Sequence, residues 1–120
     1  GVPLVFDSLH HLVLNPERVP MRDALGYSLS TWPERVRPKV HFSTPRSDVR
    51  SLHRSHRLKV PTWTEHSDFI NPFEFAAFVR MADGLRPFDV MLEAKARDLA
   101  LLKLREDLRR FAPDLTSWVG

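Results

Sequence analysis

Three short apolar runs alternate with stretches of helical periodicity, and this alternation constrains the fold more than any other feature. The runs are residues 3–7 (PLVFD), 38–43 (PKVHFS) and 88–94 (FDVMLEA). Each has the length of a strand. After the first, a polar turn at Asn15-Pro16 leads to Pro20, which suits a helix first turn, and Met21, Leu25, Leu29 and Trp32 fall on one helical face. Pro33 and Pro38 mark the exit from it. After the second run, residues 44–65 are polar, basic and mostly irregular in pattern. Asn71-Pro72-Phe73-Glu74 then supplies an N-cap, a proline at the first helical position and a capping-box acid. Phe75, Phe78, Val79 and Ala82 give that helix its apolar face, and Gly84 can end it. After the third run, residues 96–111 carry Leu101, Leu104, Leu108 and Phe111 at spacings of three and four. The tail DLTSWVG is left unassigned. A repeated strand–helix order predicts an α/β fold of parallel strands with crossover helices.

Composition narrows the chemistry. The 120 residues are enough for one domain with a real core. They include no cysteine, which excludes disulfides and thiolate ligands. Any metal site must therefore use His, Asp, Glu or unusual ligands, favouring harder divalent ions over a structural zinc knot. No apolar run approaches the ~20 residues of a membrane span, so no membrane partner is expected. A net charge of +3 permits a nucleic-acid partner without requiring one. Strand-like sequence begins almost at Gly1, and the chain is expected to lack an upstream part.

The ionisable residues cluster at strand ends. In parallel barrels, ligands sit at the C-terminal ends of strands. Asp7 ends the first run and His10 follows three residues later. His41 lies near the end of the second and Glu93 near the end of the third, with His66 in the loop after the second. Lys39 and His41 share one face of their strand, Val40 and Phe42 the other. Two registers remain open at this point, one turning Lys39 and His41 inward and one turning them to solvent. Glu93, in an apolar strand, needs a cationic partner if buried: a metal, Lys39 or Lys95. An ordinary Glu93–Lys95 pair at the strand exit is the plainer alternative. His66 taken alone is an ordinary loop histidine. Arg46, Arg50, Arg54, Arg57 and Lys59 form a basic run that either contacts phosphates or is a solvated loop.

Together, VPLVFDSLHHLVLNP, Thr31-Trp32, KVHFSTPR, EHSDFINP and DVMLEAKARDLALLKLREDL resemble the C-terminal half of the UV damage endonuclease family. They run in the family's order across nearly all of residues 1–120. The resemblance implies a partial TIM (β/α)8 barrel of about three C-terminal βα units, with the N-terminal half missing. It implies two to three divalent metal ions, usually manganese with magnesium or zinc as alternatives. It also implies a bacterial, cytoplasmic protein incising damaged double-stranded DNA on the 5′ side of UV photoproducts. Position by position it assigns metal-site roles to Asp7, His10, Lys39, His41, His66 and Glu93. Glu93 and Lys39 are the residues tied to catalysis, while Arg46 and Arg50 would hold the DNA backbone. In related apurinic enzymes an Asp stands where Lys39 stands here, and a carbamate formed on Lys39 would restore that carboxylate. The loop between His41 and His66 is longer than the family's usual one. Two further functions share these features: a metal-dependent sugar isomerase with the same rim architecture, which needs no basic loop, and a non-catalytic fragment with exposed sheet edges.

Overall fold

The computed structural model describes residues 1–47, 50–51, 58–59, 62 and 65–120, with backbone alone at 50–51 and 58–59. In chain order these form β1 (Phe6–Asp7), α1 (Ser8–Val13), α2 (Met21–Ser30), β2 (Lys39–Phe42), β3 (Arg50–Ser51), β4 (Leu58–Lys59), α3 (Pro72–Met81), β5 (Asp89–Leu92), α4 (Asp98–Phe111) and a terminal 3₁₀ helix, Pro113–Val119. β1, β2 and β5 make a parallel sheet with β2 in the middle. Phe6 and Asp7 pair with Val40 and His41, and Lys39 to Phe42 pair with Asp89 to Leu92. Each crossover contains a helix, so the expected α/β class holds. β3 and β4 pair antiparallel.

Alternation along β2 sorts its side chains. Val40 and Phe42 are buried, whereas Lys39 is exposed and His41 half-buried. The buried set meets an aromatic layer from α3. Phe42 packs edge-on against Phe75 at 5.4 Å and lies 5.1 Å from Phe78, which also stacks on Phe6 at 6.4 Å. Leu25 and Leu29 of α2, and Leu104 and Leu108 of α4, close the same core. These rings and branched chains dominate the burial that holds sheet and helices together.

Several elements differ from the sequence expectation. Only Phe6 and Asp7 of the first run are strand, and Leu4 and Val5 stay about half exposed. The Leu4 backbone instead hangs on α2's end, accepting from Trp32 Nε1 and donating to Thr31 Oγ1, both at 2.8 Å. α1 was not expected. Asp7 caps it, so a helix fills residues 8–13 between the strand and the turn at Asn15-Pro16. On α4, Leu104 and Leu108 are buried but Phe111 is 49% exposed, because the helix ends there and the 3₁₀ segment folds back. Arg105 Nε holds that fold-back through the Val119 carbonyl at 2.6 Å. Asn71 caps α3 as expected, accepting from the Phe73 and Glu74 amides. Its own amide donates to Thr44 Oγ1 at 2.9 Å, a role the capping box would give Glu74.

Arginines close the helix ends. The Arg86 guanidinium donates to the carbonyls of Leu29, Trp32, Pro33, Glu34 and Val36, gathering the end of α2 and its exit loop. Arg22 does the same for the end of α3, bonding Met81 and Asp83 carbonyls. Carbonyls at a helix C-terminus lack intrahelical donors, and a forked cation satisfies several at once. Replacing Arg86 with Met is expected to cost about 2–3 kcal/mol of stability, since several carbonyls lose charged donors together. Arg86→Lys should recover less than half, because an ammonium cannot span the set. Urea unfolding at unchanged slope is the measurement; an unshifted midpoint for Arg86→Met would contradict the clamp.

Candidate metal centre

The site forms where the three parallel strands end. Asp7, the last residue of β1, lies in register with His41 of β2. β5's ladder continues one step past Leu92, as the Glu93 amide donates to the Phe42 carbonyl at 2.9 Å. That step places the Glu93 side chain beside His41, with Oε1 2.9 Å from Nδ1. One potential ligand atom from each of Asp7, His41 and Glu93 lies within 4.8 Å of the others. Bonds of about 2.1 Å to a hard divalent ion put neighbouring ligand atoms about 3 Å apart and opposed ones about 4.2 Å apart. The cluster is therefore close to the span of a single coordination sphere.

Glu93 adds a second sign. Its Oε1 is buried and, among the described residues, accepts no hydrogen bond, despite the nearby imidazole nitrogen. The contact is close but lacks a donor aligned on the oxygen, so it satisfies Glu93 by proximity only. Buried carboxylate oxygens ordinarily have a partner. Two carboxylates and an imidazole, with no thiolate, are a donor set for manganese, magnesium or zinc.

Asp7 does two jobs. Its Oδ1 accepts from the His10 amide at 3.0 Å and caps α1, while Oδ2 lies 3.2 Å from His10 Nδ1. One buried residue further, Ser8 Oγ accepts from the Ser43 amide at 3.4 Å. The hydroxyl takes over after β1 has turned into a helix, and keeps the two strand exits together.

The remaining sequence candidates lie around this group. His10 contacts Asp7, but its side chain is 66% exposed and it is not one of the three clustered residues. Lys39 precedes His41 on the same face and is exposed, also outside the cluster. The partner found for Glu93 is thus His41, rather than Lys39 or Lys95. His66 forms an antiparallel bridge with Pro45 and lines a cavity of about 440 Å³ together with Glu93, but is not in the cluster. Arg46 is placed against its expected exposure to DNA. It is buried, its guanidinium pairs with Asp68, and its Nε donates to the His66 carbonyl at 3.2 Å. It ties the loop down beneath the site. The Arg50 side chain, and Arg54 and Arg57 altogether, lie outside the described residues.

The pattern of the family described as UV-endonuclease UvdE matches residues 1–117. This chain belongs to that family. A UV DNA damage endonuclease of Bacillus pumilus is 32% identical over 112 residues, covering 90% of this chain and 31% of that protein. That of Bacillus velezensis is 33% identical over 130 residues, covering 98% and 36%. That of Halalkalibacterium halodurans is 32% identical over 114 residues, covering 92% and 31%. The chain spans about a third of the length of these UvdE relatives.

Two substitutions separate Asp7's roles. Asn caps helices as well as Asp, so Asp7→Asn should leave stability within about 0.5 kcal/mol, whereas Asp7→Ala should cost about 1 kcal/mol. Added Mn²⁺ is expected to raise the melting temperature of the wild type, since a ligand that binds only the native state stabilises it, and both variants should lose that rise. A full Mn²⁺-dependent rise in Asp7→Asn would remove Asp7 from the metal centre.

Proposed function

We propose that this chain forms part of the active site of a DNA repair endonuclease that cuts the backbone of UV-damaged duplex DNA, 5′ to the photoproduct. The observation that carries this reading is the buried, unbonded Glu93 oxygen beside His41 and Asp7, in a chain of the UvdE family. The names of its relatives support the substrate.

Asp7, His41 and Glu93 would hold one divalent ion, and His10 and His66 on the same rim, with Lys39 two residues before His41, would serve further ions or the phosphate. When bound, such ions supply Lewis-acid neutralisation of phosphate charge and activation of water at neutral pH. The chain's own contribution is positional. Register fixes Asp7 beside His41, the extended β5 ladder fixes Glu93, and the α1 cap limits how Asp7 can turn. A carbamate on Lys39 would add a carboxylate two residues before His41. Intact mass of the native protein tests it, and unmodified lysine alone would remove it.

A partial TIM barrel is the architecture proposed for the sheet. Parallel sheets are ordinarily covered on both faces. Here the face opposite the helices carries Lys39, His41, Asp89 and Met91, and Met91 is 50% exposed. In a barrel that face would look into the lumen, and further strands would close it and contribute ligands. Among the described residues, no helix is long and apolar enough to cross a membrane.

The test is incision of UV-irradiated and untreated duplexes, with Mn²⁺, by the purified full-length protein of which this chain forms part. Cuts 5′ to photoproducts in the irradiated duplex alone are expected, with activity lowered at least ~100-fold in Glu93→Gln and removed by chelation. Equal cutting of both duplexes, or full activity in Glu93→Gln, would sink the reading. Aldose isomerisation without incision would favour the sugar-isomerase alternative.

A further inference from the structure

The cavity beside Glu93 is also lined by Arg97, and its surroundings set that arginine apart. The guanidinium groups of Arg22, Arg37, Arg46, Arg80, Arg86 and Arg105 are committed to carbonyls or carboxylates of the chain, and the exposed Arg18, Arg35 and Arg109 do not line the cavity of Glu93. Arg97 is exposed and, among the described residues, makes no side-chain hydrogen bond or ion pair. Its donors are free on the same cavity wall as Glu93 and His66.

Its backbone is strained as well. Arg97 sits at φ 51° and ψ −117°, a conformation that suits glycine and is costly for a residue with a Cβ. The β5–α4 turn holds it there. The Lys95 and Ala96 amides donate to the Ser67 and Asp68 carbonyls at 3.0 and 2.9 Å, and the Arg97 amide donates to the Ala94 carbonyl at 3.1 Å. Asp68 is anchored in turn by buried Arg46. A chain of contacts thus runs from the buried arginine to the exposed one and fixes where the turn stands relative to Glu93.

We propose that Arg97 grips a DNA backbone phosphate next to the one engaged at Asp7, His41 and Glu93. This rests on the endonuclease reading above and moves the phosphate contact from buried Arg46 to the β5–α4 turn. Glu93 and Asp98 share the cavity, so net charge does not draw the anion in. Once bound cations offset the carboxylates, the forked guanidinium is the group with unused donors, and its geometry matches phosphate oxygens.

The experiment uses the full-length protein of which this chain forms part and measures incision of UV-irradiated duplex across a salt series, alongside Mn²⁺ bound per protein and melting temperature. Arg97→Ala should raise the half-saturating DNA concentration about 10-fold and shallow the log–log salt slope by about 0.9, the signature of one lost phosphate contact. Mn²⁺ binding should not change. Arg97→Lys should keep the slope. Arg97→Gly should melt higher than the wild type, through relief of strain, yet show the same loss as Ala. That variant separates grip from folding. Wild-type half-saturation and slope in Arg97→Ala would overturn the grip while leaving the endonuclease intact. A wild type that does not incise irradiated DNA would overturn both.

Discussion

The register of β2 is the constraint on which the rest of the structure depends. This four-residue strand is paired on both sides, and its alternate side chains go to opposite faces. Val40 and Phe42 enter the aromatic core, while Lys39 and His41 go to the other face. A slip of one residue would exchange the two sets, stranding a lysine and an imidazole among Phe75 and Phe78. The core therefore enforces the site. The rings that stabilise the sheet against α3 also dictate that His41 meets Asp7 on one side and Glu93 on the other. No feature of the candidate metal centre could be kept with the register changed.

Such short strands need help at their ends, and the chain provides it through side chains. β1 contributes two residues before Asp7 turns the chain into α1. Ser8 then offers its hydroxyl to the Ser43 amide where a longer strand would have offered backbone. Arg86 gathers the carbonyls after α2, and Arg46 pins the loop after β2 to Asp68. These arginines are spent inside the fold, and half of the fourteen Lys and Arg residues with a described side chain hold carbonyls or carboxylates of the chain. A positive net charge alone is a poor guide to a nucleic-acid surface. The position of unused donors relative to the candidate metal centre is the more informative quantity, and Arg97, in the turn after β5, shares a cavity with Glu93.

The pattern of strands and helices was legible because it rests on periodicity. The α2 face through Met21, Leu25 and Leu29, the Asn71 cap and the alternation in β2 are all local signals. The strand-end position of Asp7, His41 and Glu93 could be read the same way. What local pattern could not supply was separation in space. His10 and His66 look like equals of His41 in sequence, yet one turns outward from α1 and the other bridges Pro45. Arg46 looks like its basic neighbours, and only tertiary contact with Asp68 and the His66 carbonyl marks it as buried. α1 was missed although its signal was present: Asp7 followed by Ser-Leu-His-His-Leu is a capped helix start, overshadowed by the apolar run before it. The strain at Arg97 has no sequence signature, because glycine is the residue that would have announced it.

The three clustered residues come from three different strands, which makes the metal centre a reporter of the whole sheet. Asp7 belongs to β1, His41 to β2, and Glu93 to the extension of β5. An ion bound by all three would tie the edge strands to the centre, and its binding energy would count toward folding. The dependence also runs the other way. With no cation between them, two carboxylates are held close by the register, and Glu93 Oε1 stays buried without a hydrogen bond. The aromatic layer on the opposite face must offset that cost. Stability is thus concentrated on the helix side of β2 and an unmet electrostatic demand on the other, an arrangement in which a divalent cation would relieve strain that the fold itself creates.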